Sequence, residues 1–219
     1  EKQNDRLIQL WPENPNNSLI MSPRFNILIY GNGGKMPVGS FGIEKESLKE
    51  LLREAAAGKA QLPEFQRGWV WPDRNIAGLI ASISMGYPVG TVMMLRTGGQ
   101  VNFKERPIEG LNFSSKVKPE RLILDGQQRL TSLYRALIHP YPVQTQDIRK
   151  KPISGWFYID IDAALKNEES REDTIKFLSE DKKLRAFRGD AIKDYSDIEQ
   201  EYADRLFPLN KVFDYAQCM

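Results

Sequence analysis

Apolar residues recur along this chain at two spacings, one helical and one extended. Leu48, Leu51, Leu52 and Ala55 fall on one side of a helix. Ser47 and Glu50 sit at capping-box spacing before it, and Gly58 supplies a stop. A second helix begins near Pro72-Asp73, carries Ile76, Leu79, Ile80 and Ile83 as its buried stripe, and closes at Gly86. Leu130, Leu133, Leu137 and Ile138 give a third helix one buried side. Between them, Phe25 to Tyr30, Thr91 to Leu95, Arg121 to Leu124 and Trp156 to Ile161 are short β-like runs. Residues 97–119 are expected as a polar loop or irregular hairpin, residues 140–152 as a loop, and the charge-rich stretch from Leu165 to about Tyr202 as helical or irregular. Helices and strands intermix without a repeat, which predicts a mixed α/β or α+β class.

Composition narrows the chemistry. The chain has 219 residues with 31 basic and 29 acidic side chains, so any contact with DNA must come from a local patch. Its apolar runs are far too short to cross a bilayer, and no signal peptide is expected from the polar N-terminal residues. Cys218 is the single cysteine, which leaves no disulfide framework or cysteine-rich metal site and points to the cytoplasm. His139 is the single histidine, placed before Pro140 where a helix ends. Its plainest role there is to complement the helix dipole, so a self-contained histidine-metal nuclease is not expected.

The segment Leu124-Asp125-Gly126-Gln127-Gln128-Arg129 is the strongest chemical signal. A strand ends at Asp125, Gly126 permits a tight turn, and a helix starts near Gln127. First-turn amides have no internal partners and carry partial positive charge, so a phosphate meets oriented donors there. Gln127 and Gln128 add amide donors and Arg129 a guanidinium fork, while Gln128, Arg129 and Ser132 lie off the leucine stripe and need not be buried. Asp125 can simply cap the helix, or it can hold a Mg²⁺ ion that also binds phosphate oxygens.

A second segment, Phe65-Gln66-Arg67-Gly68-Trp69, pairs an amide and a guanidinium with a glycine, again a phosphate-reading composition. Trp69 and Trp71 can stack on a base or pack in the core. Gly31-Asn32-Gly33-Gly34-Lys35-Met36 looks like a phosphate loop, but its glycine spacing is wrong and Met36 stands where a hydroxyl would bind Mg²⁺. It suits a flexible turn or a mobile flap over a ligand. Arg149-Lys150-Lys151, and Lys116 with Lys118, are small basic clusters of the kind that usually form solvated faces.

Leu62 to Trp71, Ser82-Ile83 with Gly86-Tyr87-Pro88-Val89-Gly90, and Leu122 to Thr131 together resemble the ParB-like domain of GmrSD-type modification-dependent restriction proteins. The phosphorothioate-sensing SspE antiphage proteins share that domain. The resemblance covers roughly residues 43–161, with Leu206-Phe207-Pro208-Leu209 also family-like, and is most specific at Asp-Gly-Gln-Gln-Arg. It implies a ParB/sulfiredoxin-like fold, a small mixed sheet flanked by helices. It also implies nucleoside triphosphate hydrolysis, a role in defence against phage DNA, and a C-terminal HNH-type nuclease domain or subunit outside this chain. Sulfiredoxin chemistry is not implied, because a glutamine stands where that chemistry needs a cysteine.

Three segments follow from this: residues 1–40 as an arm and Gly-rich flap, 41–165 as the nucleotide-binding domain, and 166–219 as a charged, partly helical extension leading to a C-terminal region. Asp125, Gln127, Gln128 and Arg129 are the expected catalytic set, with Asp125 on the metal. Gln66, Arg67, Gly126, Thr131 and Ser132 are the expected phosphate contacts, and Tyr30, Gly31, Gly33, Lys35 and Trp69 the expected contacts to DNA or its modification. The alternative is a domain that senses modified DNA without catalysis, and a homo-oligomer is compatible with either.

Overall fold

The computed structural model describes residues 24–30, 41–99, 103–166, 170–185 and 190–215. Its main sheet has six strands, β1 (Arg24–Tyr30), β2 (Phe41–Ser47), β3 (Ala60–Pro63), β4 (Val92–Arg96), β5 (Glu105–Arg106) and β6 (Arg121–Asp125). They lie in the order β2-β1-β4-β6-β3-β5. β1 runs parallel to β4 and β3 parallel to β6, while the other neighbours are antiparallel, so the sheet is mixed. Three helices pack with it: α1 (Leu48–Ala56), α2 (Asp73–Ser84) and α3 (Gln127–Leu137).

Each helix buries the stripe its sequence predicts. Leu48, Leu51, Leu52 and Ala55 of α1 are buried, and the Ser47 hydroxyl accepts from the Glu50 amide at 3.2 Å, which caps the first turn. In α2, Ile76, Leu79, Ile80 and Ile83 face inward together with Ala77 and Ala81. α3 departs from expectation. Besides its leucines it buries Gln127, Thr131, Ser132, Tyr134 and Arg135, because another part of the chain covers what the wheel leaves open. Ser132 is therefore not a surface position, contrary to the sequence reading.

A second sheet is built on β8 (Pro152–Asp160), which pairs antiparallel with β7 (Val143–Gln146), β9 (Ile175–Ser179) and β12 (Leu206–Pro208). Two further strands, β10 (Lys183–Arg185) and β11 (Ala191–Asp194), form a hairpin. Short helices α4 (Ile161–Lys166), α5 (Ile198–Ala203) and α6 (Val212–Tyr215) complete the described chain. Two expectations change here. Residues 140–152 contain a strand rather than only a loop, and the charged stretch after Leu165 contains three short strands besides its helical and irregular segments. In β9 the buried residues Ile175 and Leu178 are three positions apart, so no two-residue alternation marks the strand in the sequence.

The division drawn near residue 165 runs through this second sheet, since β9 and β12 both pair with β8. Ile175, Leu209 and Val212 share one buried cluster with Leu51, Ile76 and Leu133. A parallel bridge between Pro72 and Gln146 ties the start of α2 to β7.

Candidate functional site

Gly126 makes the corner between β6 and α3. Its φ of 91° is left-handed backbone that a side chain strains, and a Cβ there would lie 3.1 Å from Val92 Cγ2. Glycine also leaves the first turn of α3 without a side-chain cap. Asp125 does not cap it; its carboxylate is 71% exposed and receives Arg129 Nη2 at 3.4 Å.

Loop 64–71 lies across the start of α3, and the motif side chains hold it there. Gln127 Nε2 donates to the Arg67 carbonyl at 2.7 Å, and Gln128 Nε2 to the Gly68 carbonyl at 3.1 Å. Gln128 Oε1 accepts from the Val70 amide at 3.0 Å. Gln66 reaches the other way, donating to the Ile123 and Leu124 carbonyls at 2.6 and 2.9 Å, beside the end of β6. The glutamines expected to meet phosphate or water thus spend their amides on the protein itself. They are positioning groups in this arrangement.

Arg129 is also committed. Nη1 donates to the Val89 carbonyl at 2.5 Å and Nη2 to the Thr91 carbonyl at 2.9 Å, pinning the loop before β4. Gly90 is required for this approach, because its φ is 89° and a Cβ would collide with that guanidinium. The fork that looked suited to phosphate oxygens instead buttresses Asp125 and two backbone carbonyls. Thr131 and Ser132 are fully buried, so their hydroxyls do not face solvent and do not contact a phosphate here. Ser132 accepts from Trp69 Nε1 at 2.8 Å and donates to the Gln128 carbonyl at 2.7 Å.

Trp69 follows the packing alternative. Its ring is half-buried with the Arg135 guanidinium 4.7 Å from the centroid. Burial holds Arg135 below the usual guanidinium range, and the Glu109 carboxylate works against that shift.

Glu109 was missed by sequence reasoning and is the hub of the corner. One carboxylate oxygen accepts from the Trp69 amide at 3.0 Å, from Arg106 Nη1 at 3.0 Å and from Gln127 Nε2 at 3.5 Å. Arg106 then donates to the Gln66 and Arg67 carbonyls at 3.2 and 3.3 Å. A Glu three residues after an Arg in a Pro- and Gly-containing stretch carries no sequence mark beyond i,i+3 charge pairing.

Arg67 is the cation left over. Its carbonyl lies against Gln127, its side chain is exposed, and it makes no ion pair among the described residues. The two motifs therefore meet through the loop's backbone, with the Arg67 and Gly68 carbonyls held by Gln127 and Gln128 just after exposed Asp125. Of the other expected contacts, Tyr30 ends β1 by its backbone, while Gly31, Gly33 and Lys35 lie outside the described residues.

Asp125 is the carboxylate among the expected site residues, and no group of three or more His, Cys, Asp or Glu side chains able to hold a metal occurs among the described residues. One exposed carboxylate fits Mg²⁺ only as an ion shared with phosphate oxygens, the usual way that ion is held. A cavity of about 750 Å³ lies elsewhere, lined by Arg74, Glu172, Lys193 and Asp204 among others. It is an open cleft in which Arg74 pairs with Glu172 at 3.4 Å and Lys193 with Asp204 at 2.8 Å, while Asp73, Asp173 and Lys176 line it without an ion pair among the described residues.

Comparison with known proteins adds the family. A family described as GmrSD restriction endonuclease, N-terminal domain, matches residues 48–216. An uncharacterized protein of Methanocaldococcus jannaschii is 32% identical over 177 residues, covering 76% of this chain, and the chain spans 28% of that protein's length. No solved structure matches the chain. No helix among the described residues is long and apolar enough to cross a membrane.

Proposed function

Because the chain belongs to the GmrSD restriction endonuclease N-terminal domain family, we propose that it binds and hydrolyses nucleoside triphosphates in the service of modification-dependent DNA restriction. A ParB/sulfiredoxin-like fold is part of this proposal, as are a cytoplasmic setting and action beside an HNH-type nuclease on a separate domain or subunit. One observation carries it: Gln127, in the uncapped first turn of α3 just after exposed Asp125, holds the backbone of the loop that carries exposed Arg67.

In this mechanism the amides following Gly126 and the Arg67 guanidinium grip the phosphates and neutralise charge that develops on the transferred group. Asp125 orients the attacking water or holds Mg²⁺. When bound, the ion would supply charge neutralisation between carboxylate and phosphate. Arg129 keeps Asp125 in place from the side, and Gln66, Gln127 and Gln128 hold the Arg67 loop at the right distance.

The test is phosphate release by the purified chain with each nucleoside triphosphate and Mg²⁺, with and without modified DNA. Asp125→Ala is expected to lower turnover by at least about 100-fold, the scale of a positioned acid–base group, with unchanged circular dichroism. Turnover retained in that variant removes Asp125 from the chemistry. DNA binding that weakens steeply with salt, with no turnover at all, would favour a sensor of modified DNA instead.

A further inference from the structure

Loop 64–71 is fastened by its backbone and displays its side chains. Carbonyls of Gln66, Arg67, Gly68, Val70 and Trp71 all accept hydrogen bonds from side chains elsewhere in the chain. Gln66 and Trp69 point inward as anchors, while Phe65, Arg67 and Val70 are turned out. A backbone secured at so many points, carrying an aromatic ring and an unpaired cation, has the preorganisation of a recognition element.

Phe65 is 68% exposed, and its ring meets Phe103 at 5.3 Å in an edge-to-face pair, which covers at most one of its faces. Gln66, the next residue, is bonded to the last carbonyls before Asp125, so the backbone that carries the ring is tied to the strand end from which the corner turns. Trp69 is the less open platform, because it is half-buried, donates its indole N–H to Ser132 and has Arg135 over its ring. We propose that Phe65, braced by Phe103, stacks on the base of the nucleotide whose phosphates lie at Arg67 and the turn after Asp125. This rests on the nucleotide reading given above and extends it to the base.

The chemistry around the ring favours a tolerant site. Glu64 beside it is paired with Lys104 at 2.5 Å, so stacking rather than hydrogen bonding does the reading. Stacking grows with ring area, so purine nucleotides are preferred over pyrimidine ones with little distinction between adenine and guanine.

Calorimetric titration of the chain with ATP, GTP, CTP and inorganic tripolyphosphate, each with Mg²⁺, tests this, since tripolyphosphate carries the charge without the base. Phe65→Ala is expected to weaken ATP and GTP by about 5- to 150-fold, the loss of one base–aromatic stack, while tripolyphosphate changes by less than about 2-fold. Phe65→Trp should restore the affinity and show fluorescence quenching on binding. Unchanged ATP affinity in Phe65→Ala, or equal weakening of ATP and tripolyphosphate, overturns the inference and leaves the nucleotide reading standing. If the wild-type chain binds neither ligand, both fall. Loss of single-stranded DNA binding alone in Phe65→Ala would also overturn it.

Discussion

Replacing Glu109 with alanine should loosen the recognition loop before it unfolds the protein. The substitution removes an ion pair with Arg106 and the acceptor for the Trp69 amide, both at 3.0 Å, and a weaker contact with Gln127. Hydrogen bonds to a charged group contribute about 1.5–3 kcal/mol each where screening is modest. Both partners of the pair are about one-quarter exposed, and Arg106 keeps the Gln66 and Arg67 carbonyls, so the sum is discounted. A net loss of about 2–3 kcal/mol follows, which for a domain of this length lowers Tm by roughly 4–12 °C. Glu109→Gln keeps an acceptor without the charge and should lose about 1 kcal/mol. Urea unfolding gives the energies, and hydrogen exchange at the Trp69 amide reports the loop directly. A Glu109→Ala loss below about 0.5 kcal/mol, in the range of ordinary surface changes, with unaltered Trp69 exchange, would refute the hub assignment.

Gly126→Ala should cost about 1–3 kcal/mol through its left-handed backbone and crowding on Val92; a stability equal to wild type by urea unfolding would contradict that geometry. Burial raises the Tyr158 hydroxyl far above its ordinary value, with the Glu201 carboxylate that accepts its proton at 2.7 Å adding to the shift. Tyr134 and Tyr195 are raised too, Tyr195 to about 12, both first by burial. The folded state thus keeps protons that the unfolded chain releases near pH 10, so their stabilisation is complete below about pH 10 and is lost as pH climbs beyond it. Melting temperature should fall above about pH 10, and less steeply in Tyr158→Phe; a flat profile to pH 11 would contradict the burial of these rings.

Local chemistry made much of this legible. Leucine spacing located α1, α2 and α3, and Gly126 announced the corner, because helical periodicity and a forced backbone turn are properties of adjacent residues. What escaped depends on residues far apart. Gln127 and Arg67 are sixty positions apart, and nothing in either segment says that the amide of one will be spent on the carbonyl of the other. Ser132 reads as solvent-facing on a wheel and is buried because Trp69 lies over it. Glu109 sits in a stretch with no periodicity, so only the tertiary structure reveals how many donors converge on it. β7 was missed because it is short and mostly polar, and β9 because its buried positions do not alternate.

The small strand β7 does more than fill an edge of the second sheet. Thr145 Oγ1 donates to the Trp71 carbonyl at 2.5 Å and Gln146 Nε2 to the Val70 carbonyl at 2.7 Å, next to the bridge at Pro72. It acts as a strut between two lobes of the fold. A slip of one residue in its register against β8 would turn both side chains to the opposite face and release the far end of the loop that carries Arg67. Any partner that seats on or pulls the second sheet therefore has a mechanical handle on the corner, without touching it.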